Sequence, residues 1–510
     1  MTAALHLASL VERAAEVAPR DESIVEAGVS ECWRETAGAV EGLAGRLAAA
    51  GVLPGDRVAL IGDNSGDLIR ALFAIARVGA IAAPLNTRLT LAEMGAQLRD
   101  ADARLLLADS RHASLAAQLA AEGAVPALFA LGAAVDLQPL PEGPGAEPTE
   151  RDAEAVVCLL YTGGTTGRPK GVMHSSRSLV MNAFQSGAIL GRTERMRFVH
   201  VAPLFHIGAV AYAVAVTLHA GTHLPLPQFD PSRLFDTIGE SAATHVTLVP
   251  TMLARLLDHP GLETARLGSL RRVIYGASPI PEVLLRRAIE AWPHVEFGQS
   301  YGQTETVTIT MLPAERHVLE GPLAGKLRTA GQVVPGAEVR IRDPEGRPVP
   351  RGELGEIEVR SASLMTGYWR QPEATAATLV DGFVRTGDIG WMDEEGFVSV
   401  VDRMKDIIIS GGENIYSVEV EDALARHPDV ESCAVIGAAD PVWGEIVHAV
   451  VRLRPGRSLE PDDLTAHARR HLAGYKVPRR VTFLAEPLPL SGAGKVLKRE
   501  LRAMLAGNER

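Results

Sequence analysis

A short segment rich in glycine and threonine, Tyr161–Val172 (YTGGTTGRPKGV), follows an apolar stretch and contains one lysine, Lys170. Glycines let backbone N–H groups turn toward one anion, threonine hydroxyls add donors, and the ammonium adds charge. The P-loop pattern GxxxxGK[ST] does not fit, because Lys170 is preceded by Pro169 and followed by Gly171. The segment therefore predicts a phosphate-binding loop that differs from the loop of conventional P-loop NTPases.

Lysine is a rare residue in this chain, since only six of the 51 basic residues are lysines. The ammonium of lysine and the guanidinium of arginine are not interchangeable at a phosphate. Lys170 and Lys495 both follow glycine-containing turns. These two lysines are therefore the first candidates for contact with a phosphorylated ligand.

The loop resembles the signature of the adenylate-forming superfamily, which includes acyl- and aryl-CoA ligases, luciferases and the adenylation domains of peptide synthetases. Other motifs of that superfamily follow in order over nearly the whole chain: Pro203–Gly208 (PLFHIG), Gly276–Pro279 (GASP), Tyr301–Glu305 (YGQTE), Thr386–Asp388 (TGD), Asp402–Asp406 (DRMKD) and Ser491–Lys495 (SGAGK). Two departures are visible. Gly163 occupies a position that is often serine, and in the closing motif, usually PKTxSGK, Leu490 and Ala493 replace a lysine and a serine.

The resemblance implies a nucleotide site in which each matched residue has a role. Tyr301 would stack on adenine, Thr304 would contact a phosphate, and Asp388 would accept hydrogen bonds from the ribose hydroxyls. Arg403 would point toward ribose or phosphate. The implied ATP and AMP contacts are Thr162, Gly163, Gly164, Thr165, Thr166, Gly167, Lys170, Gly276, Ala277, Ser278, Ser300, Tyr301, Gly302, Gln303, Thr304, Asp388 and Arg403.

The same resemblance assigns catalysis to four residues: Lys495, Glu305, Thr166 and His206. Glu305 would hold Mg²⁺, because a carboxylate suits a hard cation that bridges phosphates. Lys495 becomes the principal catalytic lysine and Lys170 a supporting charge. His206 would gate or line the pocket for the acid.

Two further groups of residues are assigned to the other substrates. The implied acyl pocket comprises His206, Ile207, Thr247, Ala277, Gly302, Val307 and Thr308. The implied coenzyme A contacts are Ser410, Gly411, Gly412, Trp443 and Lys476. The resemblance also implies that a C-terminal module rotates about a hinge at Asp402 between two half-reactions.

The implied activity is that of an ATP-dependent carboxylic acid:CoA ligase with ATP, Mg²⁺ and coenzyme A as its cofactors and cosubstrates. The pocket residues are small and mostly apolar, without Lys or Arg, which disfavours dicarboxylic acids and slightly favours a fatty acid. An aryl or arylpropenoic acid remains an alternative. Three other functions stay open: an acyl-AMP ligase serving a carrier protein, an amino-acid adenylation domain, and a nucleotide-binding protein without turnover.

The elements that position these motifs alternate between strand and helix in the first part of the chain, which predicts an α/β fold with parallel sheets. Helices are predicted over 35–50, 67–78 and 91–100, and strands over 57–61, 80–84 and 104–108. The pattern continues with strands over 155–160, 198–202, 245–249 and 272–275, each followed by a helical pattern. The segment 131–150, rich in Pro, Gly and Glu, predicts a surface loop.

After about Gly331 the pattern changes to short alternating strands, which predict a small β-rich subdomain. Beyond Asp402, helices over 417–427 and 462–472 with strands over 432–437, 446–452 and 480–484 predict a compact, mobile α+β module. We therefore expect a large N-terminal domain of mixed αβ layers (two βα sheets plus the β-rich subdomain) over 1–401, and a small C-terminal domain over 402–510.

The composition limits the partners. A net charge of −11 argues against general nucleic-acid binding. Three cysteines without CxxC spacing favour a reducing cytoplasm over a disulfide framework or a zinc site. No signal peptide and no membrane span are expected, because the longest apolar stretch, Ile207–Leu218, is too short. That stretch is interpreted as buried core, and a homodimer is left open.

Overall fold

The computed structural model describes residues 5–132, 136–145, 152–162, 169–190, 195–491 and 495–507. Its helices are α1 Leu7–Val17, α2 Trp33–Ala49, α3 Gly66–Arg77, α4 Leu91–Ala101, α5 Ala113–Ala121, α6 Ser176–Leu190, α7 Ile207–Leu218, α8 Pro231–Glu240, α9 Pro250–Leu257, α10 Glu282–Ala291, α11 Pro372–Thr378, α12 Ser417–Leu424, α13 Pro461–Arg469 and α14 Lys498–Gly507.

The strands of the first half are β1 Glu22–Glu26, β2 Val29–Cys32, β3 Arg57–Ile61, β4 Ile81–Pro84, β5 Ala103–Ala108, β6 Leu128–Ala130, β7 Val156–Thr162, β8 Lys170–Ser175, β9 Arg197–His200, β10 Thr222–Pro225, β11 His245–Leu248, β12 Arg272–Gly276, β13 Glu296–Gln303 and β14 Val307–Leu312. Those of the second half are β15 Gly331–Val333, β16 Ala337–Arg342, β17 Gly355–Ser361, β18 Gly367–Tyr368, β19 Leu379–Val380, β20 Phe383–Met392, β21 Phe397–Arg403, β22 Ile408–Ser410, β23 Glu413–Ile415, β24 Val430–Asp440, β25 Gly444–Leu453 and β26 Arg480–Phe483.

Three sheets organise these strands in the part of the chain that the structure describes. The largest runs β16-β17-β20-β21-β15-β14-β13-β12-β11-β9-β10-β1-β2, with β19 beside β20. A second sheet runs β18-β8-β7-β4-β3-β5-β6, and the C-terminal sheet runs β23-β22-β25-β24 with β26 beside β25. This confirms the predicted α/β fold with a large N-terminal and a small C-terminal part. The β-rich segment after Gly331 forms as predicted, but its strands continue the hydrogen bonding of the largest sheet through β14 and β15.

The predicted elements agree with the observed ones to within a few residues, with one exception. Strand β7 is not followed directly by a helix. Its partner is β8, which runs antiparallel to it, with Thr162 opposite Lys170. Strand β8 therefore lies between β7 and the next helix, which the predicted helical pattern missed, and α6 begins only after β8.

The main hydrophobic core lies between α1, α2, α3, α6 and α7 and the inner strands of the second sheet. Helix α7 is buried along almost its whole length, which confirms its interpretation as core. Among the described residues, no helix combines the length and the apolar character that a membrane span requires. The three cysteines are free.

The parallel strands of the largest sheet place two of the predicted nucleotide-binding motifs at the same edge of that sheet, beyond the carboxyl ends of the strands. Strands β9, β11, β12 and β13 run parallel, with the register Val199 to Val246, Ile274 to Gly298 and Gly276 to Ser300. Ligands of open α/β sheets bind beyond the carboxyl ends of such strands. The GASP and YGQTE motifs lie at these ends.

Candidate functional site

The carboxylate of Asp388 is the centre of the predicted ribose site. It is 3% exposed. One oxygen, Oδ2, accepts hydrogen bonds from Tyr301 Oη and Gln303 Nε2, both at 2.7 Å. The other oxygen, Oδ1, lies 3.0 Å from Arg403 Nε. The structure thus brings together four residues that the sequence predicted, and it assigns the Gln303 amide to holding Asp388.

Burial, followed by the adjacent Asp388 carboxylate, raises the pKa of Tyr301 well above its ordinary value. The phenol of Tyr301 is therefore a permanent hydrogen-bond donor to Asp388. Arg403 lies opposite Asp388 in the β20–β21 pair, so backbone register alone places the guanidinium beside the carboxylate. The Arg403–Asp388 ion pair therefore forms one wall of the predicted ribose site.

Three consecutive backbone carbonyls at the end of the YGQTE motif, those of residues 304–306, accept hydrogen bonds from two distant segments. The carbonyl of Thr304 accepts from His174 Nε2 at 2.7 Å, and that of Glu305 accepts from the Met365 backbone N–H at 2.8 Å. The carbonyl of Thr306 accepts from Ser363 Oγ at 3.2 Å. Burial lowers the pKa of His174 to about 4, so its ring is neutral at physiological pH. These contacts fix the direction of the Glu305 side chain.

The Glu305 carboxylate has a neighbour that the sequence analysis did not identify. Tyr368 Oη donates to Glu305 Oε1 at 2.8 Å, and the ammonium of Lys170 lies 4.6 Å from the centre of the Tyr368 ring. Burial, with Glu305 beside it, raises the pKa of Tyr368, which keeps its hydroxyl protonated. Tyr368 therefore connects the lysine of the phosphate loop to the predicted metal-binding carboxylate.

Replacing Tyr368 with phenylalanine should weaken the enzyme's use of Mg²⁺–ATP. The variant leaves the ring under Lys170 but removes the donor that orients Glu305, a neutral-to-charged hydrogen bond worth about 1.5–3 kcal/mol. We expect KM for Mg²⁺–ATP to rise by about 10-fold with a smaller change in KM for the acid. Tyr275→Phe is the matched control, because Tyr275 is also a buried tyrosine but its Oη donates to His317 Nε2 rather than to a predicted nucleotide contact. Equal changes in the two variants would contradict the role of Tyr368.

The phosphate loop itself is described only at its two ends. Thr162 and Lys170 close the β7–β8 hairpin as an opposed pair. The predicted nucleotide contacts Gly163, Gly164, Thr165, Thr166 and Gly167 lie outside the described residues. Thr166 therefore stays a prediction from the motif, for both its catalytic and its binding role.

Lys495 reaches the nucleotide site from the C-terminal part of the chain. Its ammonium interacts with Asp388, Glu305, Arg403 and Lys405. Removal of the ammonium from solvent, followed by the Arg403 charge, lowers the pKa of Lys495 to about 8. The backbone N–H of Lys495 donates to Ser491 Oγ at 3.1 Å, and Arg88 of the N-terminal part donates to the Ser491 carbonyl at 3.2 Å. The charge of Lys495 therefore acts on the same group of residues as Glu305 and Asp388.

The lowered pKa of Lys495 predicts a loss of adenylation at alkaline pH. The ammonium can stabilise phosphate charge only while it is protonated, which holds below about pH 8 in the free enzyme. We expect kcat/KM for ATP to fall as pH rises through this value, because kcat/KM reports the free enzyme. In kcat the fall should come at higher pH, since bound phosphates favour the charged form. Lys495→Arg, measured alongside, should lack this alkaline fall because arginine stays charged; an unchanged profile would contradict the assignment.

The GASP loop lies directly against the next motif. A Cβ at Gly276 would lie 2.2 Å from the Ser300 carbonyl oxygen, so the two backbones touch. Ala277 is exposed and has a left-handed φ of 67°. Ser278 follows it and is half-buried. This arrangement agrees with a loop that passes close to a flat ligand.

The predicted acyl pocket is brought together only in part. Thr308 lies beside Ser300, with 3.4 Å between their hydroxyls, and Thr247 lies on β11, two strands away from Ser300 and beyond β12. Val307 is buried with a left-handed φ of 57°, a strained conformation for a β-branched residue. His206 precedes the first residue of α7, Ile207, and its ring packs against Phe205 with 4.5 Å between ring centres.

The predicted coenzyme A residues form one cluster and one separate pair. Gly411 and Gly412 make the turn between β22 and β23, after Ser410, and the Gly411 N–H donates to the Trp443 carbonyl at 2.8 Å. Arg479 lies 4.2 Å from the centre of the Trp443 ring. Lys476 is not part of this cluster, because its ammonium binds both carboxylate oxygens of Glu419. Arg479 is the residue here that the sequence analysis missed.

The predicted hinge residue connects both parts of the chain. The backbone of Asp402 pairs with Ile389 in the largest sheet, while its carboxylate accepts from the N–H and Oγ of Ser417, at 2.5 and 2.6 Å. Lys498, three residues after Lys495, donates to Ser417 Oγ and pairs with Glu421. The hinge itself, and the domain boundary at Asp402, stay predictions.

The comparisons with known proteins agree with this geometry. The family model described as AMP-binding enzyme matches residues 11–369, and the one described as AMP-binding enzyme C-terminal domain matches residues 419–495. The feruloyl-CoA synthase of Amycolatopsis sp is 40% identical over 500 residues, which cover 97% of this chain and 98% of that protein.

Two further similarities extend the comparison. The fatty acid–[acyl-carrier-protein] ligase ScoC of Streptomyces coeruleorubidus is 38% identical over 477 residues, covering 91% of this chain and 90% of that protein. The solved structure of o-succinylbenzoate CoA synthetase (MenE) from Bacillus subtilis, in complex with its acyl-adenylate intermediate, has a TM-score of 0.86 and 32% identity, with 97% of each chain covered. The chain therefore belongs to the AMP-binding enzyme family, which confirms the resemblance of its motifs to the adenylate-forming superfamily.

Proposed function

We propose that this protein is an ATP-dependent carboxylic acid:CoA ligase, which forms an acyl-AMP and pyrophosphate and then an acyl-CoA and AMP. The observation that carries the proposal is the position of Lys495. Its ammonium interacts electrostatically with Glu305, Asp388 and Arg403, so the predicted metal-binding and ribose-binding groups act on one cation from the C-terminal part. A protein that only bound a nucleotide would not need a desolvated lysine there.

The first half-reaction activates the acid. A carboxylate is a poor acyl donor because its leaving group would be oxide. Its attack on the α-phosphorus of ATP expels pyrophosphate and leaves AMP as a good leaving group. The protein's contribution is to position the reactants and to neutralise developing charge. Lys495 would supply that charge at the transferred phosphate, and Arg403 with Asp388 would hold the ribose.

Glu305 fits a Mg²⁺ ion that is bound mainly by the nucleotide. Among the described residues there is no cluster of three or more His, Cys, Asp or Glu side chains that could hold a metal alone. Mg²⁺ bound with ATP typically takes only one or two protein carboxylates. When bound, the ion would neutralise phosphate charge. The hydrogen bond from Tyr368 to Oε1 orients Glu305 for this role.

The second half-reaction transfers the acyl group to a thiol. The cluster of Gly411, Gly412, Trp443 and Arg479 supports coenzyme A as the acceptor, because it offers a narrow glycine turn beside an aromatic face and a cation. Trp443 is 42% exposed, as expected of a surface that is presented to a substrate. A carrier protein remains the competing acceptor, since one relative is named for that activity.

The inner end of the acyl site favours a compact acid. Tyr212 stacks on Phe198 with 5.2 Å between ring centres, and these rings, with His200 and Thr247, enclose a void no larger than about one water molecule. A long alkyl chain would need an extended channel at this end. This supports an aryl or arylpropenoic acid over the fatty acid that the sequence favours, in agreement with the relative named feruloyl-CoA synthase.

The proposal is tested by measuring pyrophosphate release and AMP formation with Mg²⁺–ATP and a panel of acids. The panel includes ferulic, cinnamic, benzoic, octanoic and palmitic acids, each with coenzyme A and, separately, with a phosphopantetheinylated carrier protein. We expect AMP formation that depends on coenzyme A and is fastest with an aryl acid. Transfer only to the carrier protein would refute the CoA ligase, and no pyrophosphate with any acid would favour nucleotide binding without turnover.

A further inference from the structure

The inner end of the acyl site contains buried hydroxyl groups that lack normal partners. Among the residues that the structure describes, Tyr212 Oη and Thr247 Oγ1 are buried and make no hydrogen bond of normal geometry. Ser300 and Thr247 are nevertheless close enough to Tyr212 to oppose the rise in its pKa that burial causes. Such groups are costly unless a water or a ligand satisfies them.

A chain of buried histidines reaches the same void. His200 Nε2 lies 2.9 Å from His223 Nδ1, and His223 Nε2 lies 3.1 Å from Thr217 Oγ1. Thr217 Oγ1 also donates to the Ala213 carbonyl at 3.0 Å. Burial lowers the pKa of both histidines far below neutrality, to about 3 for His200, so both rings are uncharged.

The hydrogen bonds from Thr217 through His223 to His200 determine which nitrogen of each ring carries hydrogen. The single hydroxyl hydrogen of Thr217 goes to the Ala213 carbonyl, so Thr217 must accept from His223 Nε2–H. His223 Nδ1 is then an acceptor, and His200 Nε2–H donates to it. This leaves His200 Nδ1 as a hydrogen-bond acceptor.

The strand register places this acceptor beside the unpartnered hydroxyls. Val199 of β9 pairs with Val246 of β11, so the next residues, His200 and Thr247, lie side by side on one face of the sheet. Both line the void together with Tyr212. The void therefore combines two hydroxyls with an acceptor, in a space that suits one hydroxyl group.

We propose that Tyr212, Thr247 and His200 select an acid with a hydroxyl group at the end opposite its carboxylate, a 4-hydroxyaryl acid. A phenolic hydroxyl would donate to His200 Nδ1 and accept from Tyr212 or Thr247, whereas an unsubstituted ring offers no hydrogen-bonding group to any of the three. The inference rests on the proposed function, because it concerns the acid used in the same reaction. Thr217 is a positioning residue, since it acts only through the two histidines.

The wild-type enzyme provides the first test, with kcat/KM measured for 4-hydroxycinnamic, 4-methoxycinnamic and cinnamic acids. We expect the hydroxy acid to exceed both others by at least about 10-fold, because a site built to bind a hydroxyl discriminates strongly against its absence. The methoxy acid separates the donor role of the phenolic hydroxyl from its acceptor role, since a methoxy oxygen can accept from Tyr212 or Thr247 but cannot donate to His200. Equal values for the hydroxy and unsubstituted acids overturn the inference. Failure of every acid to give CoA-dependent AMP refutes the proposed function instead.

Variants provide the second test. Tyr212→Phe and Thr247→Val should each reduce the preference for the hydroxy acid, measured as the ratio of its kcat/KM to that of cinnamic acid, by about 5- to 10-fold. Tyr275→Phe, with a buried phenol elsewhere, should keep the preference. Thr217→Val should lose it and Thr217→Ser should restore it, because serine keeps the hydroxyl that orients His223. A loss of activity of the same factor on both acids in the Tyr212 and Thr247 variants would contradict the inference.

Discussion

Replacing Lys495 with alanine should reduce acyl-AMP formation by at least about 10³-fold and leave the transfer of a supplied acyl-AMP to coenzyme A largely intact. The ammonium interacts electrostatically with Glu305, Asp388 and Arg403, the groups beside which the nucleotide phosphates are expected. Removal of one preorganised group that stabilises transition-state charge typically costs 10²- to 10³-fold, and a full charge should cost more. The effect should therefore fall on kcat of the first half-reaction.

The two half-reactions are measured separately, as pyrophosphate release with saturating acid and as thioester formation from synthetic acyl-AMP. Lys326→Ala is a suitable control because Lys326 is also a partly buried lysine, but it pairs with Asp393 and Glu395 outside the site. It should retain both half-reactions. If Lys495→Ala lost both steps to a similar degree, Lys495 would be a structural residue or would act in both steps.

Replacing Gly302 with alanine should abolish activity and destabilise the site. A Cβ on Gly302 would lie 1.6 Å from the Val307 carbonyl oxygen and 2.8 Å from the Val307 carbonyl carbon. Both are backbone atoms, and Val307 is already held in a left-handed conformation. The β13–β14 hairpin, which presents Tyr301, Thr304 and Glu305, would have to move as a whole. We expect a loss of at least about 100-fold in kcat/KM, because misplacement of about 1 Å has effects of this size.

The matched control lies four residues earlier on the same strand. A Cβ on Gly298 would have its nearest neighbour, the Leu312 carbonyl oxygen, at 3.8 Å, which is ordinary van der Waals contact. Gly298→Ala should therefore keep most of the activity, and thermal unfolding should show a much smaller change than for Gly302→Ala. Similar behaviour of the two variants would mean that the close contact at Gly302 does not control the hairpin.

The secondary structure was largely predictable because hydrophobic periodicity follows burial. Strand Arg57–Ile61 and helix Leu91–Ala101 match the sequence patterns closely, and the apolar stretch Ile207–Leu218 is a buried helix. The exception, the hairpin of β7 and β8, could not be predicted from periodicity. A loop of glycines and threonines has no apolar pattern that would show whether a helix or a returning strand follows it.

The residues of the candidate site that belong to a recognisable motif could be predicted from the sequence. The residues that orient those motif residues from distant parts of the chain could not. Glu305, Asp388, Arg403 and Lys495 were identified from their motifs, and the structure places them together. His174, Ser363 and Tyr368 were missed. Each acts by a single hydrogen bond to the YGQTE loop from a segment far away in the chain, and no spacing in the sequence encodes such a contact.

The sequence by itself determined the family, the adenylating chemistry and the order of the elements, because these follow from residue type and local pattern. Only the tertiary structure decided what closes the acyl site. Tyr212 and His200 belong to apolar segments that are indistinguishable from ordinary core. Their place beside Thr247 results from the packing of α7 on the parallel strands β9 and β11. Residues that are 35 to 47 positions apart in the chain become neighbours there, since strand register, unlike periodicity, depends on long-range pairing.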